Sequence, residues 1–336
     1  MHQSKSKIIK SLTRLVTVTA IGFSLGLSVG GSSNLAQAAD IDSIHFLIPG
    51  GAGGGWDGTA RGTGEALTGA GIVGSATYEN MSGGGGGKAI GYLIENADSN
   101  HGTLMVNSTP IIIRSLVGRF PHNFRDLTMI AGTIGDYAAL IVSKDSPFQT
   151  FGDVLEKYKA DPSSVSVGGG SVPGSMDHLV PAMIFQAAGA NPLDVKYIPY
   201  DTGGALNAAI LSGEVDVGST GFSEAVELTK AGEMRILGVT SSERVDALPD
   251  ALTFTEQGVD ATFVNWRGFF AAPGLPDAQA DAYRAALAKM YDTPEWEAVR
   301  ARNGWVNIHN SGADFLAFLE NQEKVIKELM TKLGFL

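Results

Sequence analysis

The chain has 336 residues, enough for two domains of ordinary size, and its 35 acidic residues outnumber its 24 basic ones, for a formal net charge of −11. This acidic balance disfavours nucleic acid as a partner. Cysteine is absent, which excludes a disulfide scaffold, a thiol nucleophile, a thiolate metal site and a lipid anchor on an N-terminal cysteine.

Residues 1–38 have the pattern of a secretory signal peptide. Four basic residues come first, an apolar segment with small residues follows, and Ala36-Gln37-Ala38 matches an A-x-A cleavage site. The apolar segment is short and interrupted by glycine, which favours a cleaved signal over a membrane anchor. The sequence therefore predicts a freely diffusing periplasmic protein. Its net charge would be −15, from 20 basic and 35 acidic residues, because the removed segment has four basic residues and no acidic one.

The first predicted strand runs into a glycine loop that opens directly onto a helix. Five glycines occupy positions 50, 51, 53, 54 and 55, whereas a turn alone needs one or two. Bare backbone N–H groups beside the positive end of a helix dipole favour an anionic ligand. Asp57 or Thr59 could cap the helix, with Asp57 orienting the loop rather than touching the anion. The predicted ligand-binding residues are Gly53, Gly54, Gly55, Trp56, Asp57 and Thr59, with Trp56 as a wall.

A second glycine cluster, 83–87, also follows a strand and precedes a helix. It is not a phosphate-binding P-loop, because Ser82 occupies the first glycine position and Ala89 replaces the required Ser or Thr. We interpret it as a second set of backbone donors, with Gly84 and Gly85 as ligand-binding residues. A purely flexible loop is the alternative.

Short apolar runs alternate with helical patterns along most of the chain, which is typical of βα units and a largely parallel sheet. The predicted strands are 45–48, 77–80, 103–107, 138–142, 165–168, 195–198, 215–218, 236–239 and 263–272. The predicted helices among them are 59–67, 89–95, 151–158, 176–188, 205–211 and 224–231. Three further helices, at 277–290, 295–302 and 313–332, with a strand at 305–308, would cover the first lobe.

The alternation predicts an α/β fold of two lobes joined by two hinge crossings. Lobe 1 comprises 39–141 and 268–336, and lobe 2 comprises 142–267. The chain would cross near 138–144 and return through 266–272. A cleft between hinged lobes is a common place to hold a small ligand.

Other small polar residues also follow predicted strands, at the edge where open α/β sheets bind ligands. Each of these junctions alone is weak evidence, because Ser, Thr and Gly are also ordinary helix-entry residues. The predicted ligand-binding residues at these junctions are Asn107, Thr109, Ser171, Gly174, Ser175, Gly203, Gly204 and Thr220.

Enzyme chemistry has little support in the sequence. The histidines show no metal-ligand spacing, so no metal and no cofactor are predicted. His178 follows Asp177 near Ser171 and Ser175, which suggests a hydrolase triad, but adjacent helix residues do not face each other and no G-x-S-x-G motif is present. The prediction is a protein that binds without catalysing a reaction.

With these residues in hand, the chain resembles the substrate-binding proteins of tripartite tricarboxylate transporters, the Bug family of periplasmic receptors. The resemblance covers nearly all of the chain after residue 38, and the segments that carry it are 49–57, Asn80 with 83–87, 200–204, 212–217 and 266–276. It implies a periplasmic-binding-protein-like fold whose two lobes close on an organic acid. It also implies that one carboxylate is held by backbone amides and ordered water, on loops that correspond here to 53–59 and to 170–175 with Gly203 and Gly204. Arg61 and Arg267 are candidate charge partners of the ligand.

The sequence thus predicts a monomeric periplasmic receptor that captures a tri- or dicarboxylate and delivers it to the membrane permease subunits of a tripartite tricarboxylate transporter. Two alternatives stay open at this stage. The bound receptor could instead engage a membrane sensor kinase, or the protein could be an exported hydrolase of carboxylate esters. Which carboxylate is bound does not follow from the sequence.

Overall fold

The computed structural model describes residues 41–336, so the predicted signal peptide lies outside the described residues. The strands are β1 (Ile41–Ile48), β2 (Val73–Asn80), β3 (Thr103–Ser108), β4 (Thr128–Ser143), β5 (Ser166–Gly169), β6 (Lys196–Pro199), β7 (Val217–Gly221), β8 (Met234–Val239), β9 (Val264–Ala271) and β10 (Val306–Ser311). The helices are α1 (Gly55–Gly69), α2 (Gly87–Glu95), α3 (Pro110–Leu116), α4 (Phe151–Ala160), α5 (Met176–Ala187), α6 (Gly203–Ser212), α7 (Phe222–Lys230), α8 (Asp277–Met290), α9 (Pro294–Asn303) and α10 (Gly312–Leu333).

The fold is α/β, as predicted, and its strands join in the order β2-β1-β3-β9-β4-β7-β5-β6, with β8 and β10 also paired to β4. The expectation of a largely parallel sheet is correct for the outer strands and wrong for the centre. β1 pairs in parallel with β2 and β3, and β5 pairs in parallel with β6 and β7. The central strands β4 and β9 pair antiparallel with their neighbours. The reason is that β4 and β9 carry the chain from the first group of parallel strands (β1, β2 and β3) to the second group (β5, β6 and β7) and back.

β4 belongs to both groups of strands. Its first part, Thr128–Tyr137, pairs with β9, and its last part pairs with β7 and β8. The strand has 16 residues, far more than the predicted 138–142. The two-lobe division itself stays a prediction. All of β9 pairs with β3 or the first part of β4, so a boundary at 267/268 would divide a continuous strand.

Local sequence signals explain several helix ends. Thr150 and Asp153 form a capping box at the start of α4, and Thr293 caps α9 just before Pro294. Gly213 ends α6 with a φ of 76°, the left-handed conformation that favours glycine. Helix α3 was not predicted, because its apolar run of three isoleucines is too short to show helical periodicity.

The three C-terminal helices pack against strand β4 and against other helices. α8 and α10 contact β4, and α9 contacts α1. α10 also contacts α3 and α5, so the end of the chain reaches residues from both groups of strands. None of the described helices is both long enough and apolar enough to cross a bilayer.

Candidate functional site

A cavity of about 1010 Å³ lies at the carboxyl ends of β1, β2, β3, β5 and β6. This is the edge at which open α/β sheets bind ligands. Most of its wall is loop and helix entry, and one residue of α7, two residues of β9, one residue of α10 and Phe335 complete it. The lining residues include Pro49–Gly51, Gly54–Trp56, Ser82–Gly86, Ser108, Pro110, Ile113, Arg114, Val117, Arg119, Gly170–His178, Tyr200–Gly203, Glu224, Asn265, Arg267, Met330 and Phe335.

The first glycine loop leads into α1 without a side-chain cap. The helix begins at Gly55, with Gly54 at the N-cap, so the prediction that Asp57 or Thr59 caps it is wrong. Both residues lie inside the helix, which starts earlier than predicted. The Asp57 carboxylate instead accepts hydrogen bonds from the Gly53 N–H at 3.0 Å and from Asn80 Nδ2 at 3.0 Å. The N–H groups of the first turn of α1 have no carbonyl within the helix to bind, and Gly54, Gly55 and Trp56 line the cavity.

Trp56 forms a wall between the two glycine loops. Its Nε1 donates to the Ser108 hydroxyl at 2.9 Å, which fixes the indole ring. A Cβ atom at Gly86 would lie 3.3 Å from the Trp56 ring, and one at Gly50 would lie 3.1 Å from it. The glycines on both sides therefore let the backbone approach the ring closely.

The entries of α1 and α6 pack against each other in the cavity wall. A Cβ atom at Gly51 would lie 2.0 Å from Thr202 Cγ2, and one at Gly54 would lie 3.7 Å from the Gly203 backbone nitrogen. Thr202 caps α6 by accepting from the Ala205 N–H at 3.0 Å. Two helix N-termini, each carrying a partial positive charge, thus lie side by side on one cavity. A negative ligand in the cavity beside them would be stabilised by both.

Arg267 is a buried cation in the cavity wall, with only 2% of its surface exposed. Its Nη2 lies 3.0 Å from Asp136 Oδ2 and 3.7 Å from Glu224 Oε1, and its Nη1 donates to the Thr59 hydroxyl at 3.2 Å. The buried Nε has no hydrogen-bond partner among the described residues. Arg61, the other candidate charge partner, forms an ion pair with Asp57 at 2.9 Å and does not line the cavity.

Two carboxyl groups in the wall resist ionisation. Burial raises the pKa of Glu224 to about 7, although the nearby Arg267 acts in the opposite direction. Burial raises the pKa of Asp177 to about 6, against the effect of the hydrogen bond from Ser171. With Asp136 also close to Arg267, ionisation of all three acids would leave this region with excess negative charge.

The serines near His178 do not form a hydrolase triad. Ser171 donates to Asp177 at 2.6 Å and lies 2.6 Å from the Ser175 hydroxyl. His178 Nδ1 accepts from the Gly174 N–H at 3.1 Å, and its ring stacks on Tyr197. Burial lowers the pKa of His178 to about 4, so the ring is neutral at pH 7. Within residues 41–336, no hydrogen bond joins the His178 ring to the hydroxyl of either serine.

The structure brings some of the predicted ligand-binding residues to the cavity wall and leaves others away from it. Those on the wall are Gly54, Gly55, Trp56, Gly84, Gly85, Ser171, Gly174, Ser175 and Gly203. Those away from it are Gly53, Asp57, Thr59, Asn107, Thr109, Gly204 and Thr220. Around β3 the reason is the alternation of side chains: Ser108 faces the cavity, whereas Asn107 is buried and Thr109 donates to Asn265 at 2.9 Å.

Sequence reasoning missed several residues of the wall. Glu224 was predicted only as the start of a helix, and Arg114 lies on the helix that was not predicted. Met330 and Phe335 come from the far end of the chain. An arginine in a short apolar segment was the signal available for Arg114, whereas Met330 and Phe335 gave no sign of a role in the site.

Gly55 and Gly58 allow a matched test of how tightly the cavity wall is packed. A Cβ atom at Gly55 would lie 2.0 Å from Arg267 Nη2, whereas at Gly58 nothing lies within 4 Å. We expect Gly55→Ala to lower the free energy of unfolding by about 1–3 kcal/mol through overpacking. Gly58→Ala should raise it by about 0.5–1 kcal/mol, because alanine is the better helix former. Urea unfolding measures both, and equal shifts of one sign would contradict the packing described here.

Comparison with known proteins identifies the family of this chain. Residues 65–335 match the model of the tripartite tricarboxylate transporter family receptor. A UPF0065 protein from the tcbD-tcbE intergenic region of Pseudomonas sp. strain P51 is 26% identical over 302 residues, covering 88% of this chain and 87% of that protein.

Two solved structures share the fold. An R. palustris protein with adipate superimposes with a TM-score of 0.78 at 20% identity, covering 87% of this chain and 97% of that one. MatC from Rhodopseudomonas palustris with bound malate gives a TM-score of 0.71 at 19% identity, covering 87% and 98%. Identities this low establish the shared fold alone. The match to the family model spans most of the chain, and the chain therefore belongs to the tripartite tricarboxylate transporter receptor family.

Proposed function

We propose that this protein is a periplasmic receptor that binds an organic carboxylate in the cavity and delivers it to the membrane subunits of a tripartite tricarboxylate transporter. The observation that carries the proposal is that two helix N-termini, those of α1 and α6, lie side by side in the wall of one cavity. Their N–H groups are suited to carboxylate oxygens.

The chemistry of the wall favours binding over turnover. Ser171 is hydrogen-bonded to Asp177, and the neutral His178 is engaged by a backbone N–H and an aromatic ring. Neither serine hydroxyl is therefore paired with a histidine base. Two relatives of the same fold carry malate and adipate in their structures, which supports a dicarboxylate as the class of ligand.

The glycine loop gives a direct test of the proposal. We expect the wild-type protein to bind one or more organic acids in a calorimetric panel that includes malate and adipate. Gly54→Val should abolish that binding while the protein stays folded, because the side chain would cover the N–H groups. A Cβ atom at this position has only ordinary contacts, 3.5 Å to Gly51 O and 3.7 Å to Gly203 N.

Gly58→Val is the matched control. It adds the same side chain to the same helix, at an exposed position with nothing within 4 Å, and it should leave affinity unchanged. Unchanged affinity in Gly54→Val, or loss of binding in both variants, would contradict an anion site at the entry of α1.

A further inference from the structure

Arg114 lies at the side of the cavity formed by the second glycine loop. It projects from α3 and lines the cavity together with Arg119. A Cβ atom at Gly85 would lie 2.8 Å from Arg114 Nη1, so the guanidinium is close to the backbone of that loop. The guanidinium carbon Cζ of Arg114 lies 5.8 Å from the centre of the Phe120 ring.

Arg114 differs from most of the other described arginines in having no acceptor. The arginines that form ion pairs are Arg61, Arg125, Arg244, Arg267, Arg284, Arg300 and Arg302. Arg235 donates to backbone carbonyl groups. Among residues 41–336, no carboxylate or carbonyl oxygen accepts from the Arg114 guanidinium, and its buried Nε is without a partner.

The surroundings of Arg114 concentrate positive charge. Burial and the like charge of Arg119 both lower the pKa of Arg114, and no carboxylate opposes them. In a chain with 35 acidic residues, an arginine left without a carboxylate is conspicuous. A partly buried cation of this kind gains most from an anion that comes from outside the protein.

Arg114 and Arg267 belong to different elements of the cavity wall. Arg267 is on β9, where it pairs with Ser108 at the end of β3, and Arg114 follows Ser108 by six residues on α3. The wall also includes apolar residues of α3 and of the β5–α5 loop, among them Ile113, Val117 and Val172. The cavity volume of about 1010 Å³ leaves room for a long ligand, since a water molecule takes about 30 Å³.

We propose that Arg114, assisted by Arg119, forms a second anion subsite, which selects a ligand with two anionic groups joined by an apolar spacer. This inference rests on the proposed function, because the first anionic group would occupy the site beside the entries of α1 and α6. The second group would accept hydrogen bonds from Arg114 and supply its missing partner.

The test is calorimetry with linear α,ω-dicarboxylates from succinate to azelate, each beside the monocarboxylate of equal chain length. For the diacid that binds tightest, we expect the wild-type protein to prefer it at least tenfold over its monoacid. Arg114→Met should weaken binding of the diacid at least tenfold and leave the affinity for the monoacid unchanged. An unchanged affinity for the monoacid also shows that the variant is folded. Arg125→Met, which removes an exposed arginine outside the cavity wall, should change neither affinity.

The outcomes separate the two proposals. Tight diacid binding that Arg114→Met leaves intact would overturn the second subsite alone. Equal loss of diacid and monoacid in this variant would also overturn it, because the effect would then not concern the second anionic group. Failure of every acid to bind the wild-type protein would overturn the proposed function and the subsite with it.

Discussion

Replacing Arg267 by methionine is expected to lower the free energy of unfolding by about 3–5 kcal/mol, the cost of removing one partner from a buried ion pair. Asp136 is fully buried and lies 3.0 Å from the Arg267 guanidinium, and Glu224 lies 3.7 Å from it. Without Arg267, both carboxyl groups would lose the one cation beside them among the described residues. Urea unfolding at pH 7 measures the change.

Arg61→Met is the matched control for this prediction. It also removes an arginine from an ion pair, with Asp57 at 2.9 Å, but 47% of its side-chain surface is exposed. Asp57 is buried, but it keeps its hydrogen bonds from the Gly53 N–H and Asn80 when Arg61 is removed. Since the Arg61 end of the pair is open to solvent, this variant should lose only about 1 kcal/mol. A second variant, Arg267→Met with Asp136→Asn, should recover part of the loss because one buried charge is removed as well. Equal effects of Arg267→Met and Arg61→Met would contradict the buried network.

The sequence predicted the strand-loop-helix junctions of the site better than their side-chain partners. The two glycine loops were recognisable because so many adjacent glycines exceed what a turn requires, and both loops line the cavity. Arg267 was a candidate charge partner of the ligand, but its burial and its pairing with Asp136 were not recognisable, because they depend on β9 lying between β3 and β4 at the centre of the sheet. That pairing joins residues more than a hundred positions apart, and local patterns carry no information about it.

The same limit explains why the acidic residues of the cavity were missed. Glu224 looked like an ordinary first-turn residue of α7, favourable there because of the helix dipole. Its side chain reaches Arg267 and the Gly203 backbone only in the folded chain, where a Cβ atom at Gly203 would lie 2.2 Å from Glu224 Oε2. Close packing of this kind follows from tertiary structure, so sequence reasoning could place the site but not its charges.

The stability of the protein should fall as the pH rises from 5 to 8, on account of Glu224 and Asp177. Burial raises their pKa values to about 7 and about 6, above the ordinary values of 4.5 and 3.8. At a pH between the ordinary and the raised pKa of each group, the folded protein keeps a proton that the unfolded chain releases. Their contribution to stability is therefore fully present below about pH 4 and is lost as the pH passes through 6 and 7. The expected loss is on the order of a few kcal/mol, at about 1.4 kcal/mol per pKa unit.

Glu224→Gln tests this assignment, because glutamine keeps the shape of the side chain and cannot ionise. The charged groups that face Glu224 are Arg267 on β9, Asp136 on β4 and Asp177 on α5. The variant should lose less stability than the wild type between pH 6 and 8, in urea unfolding measured at each pH. Glu233→Gln, which removes an exposed ion pair with Lys144, should lose as much stability between pH 6 and 8 as the wild type. If Glu224→Gln and the wild type lose stability equally over this range, Glu224 is already ionised at pH 6, and the burial argued for it is wrong.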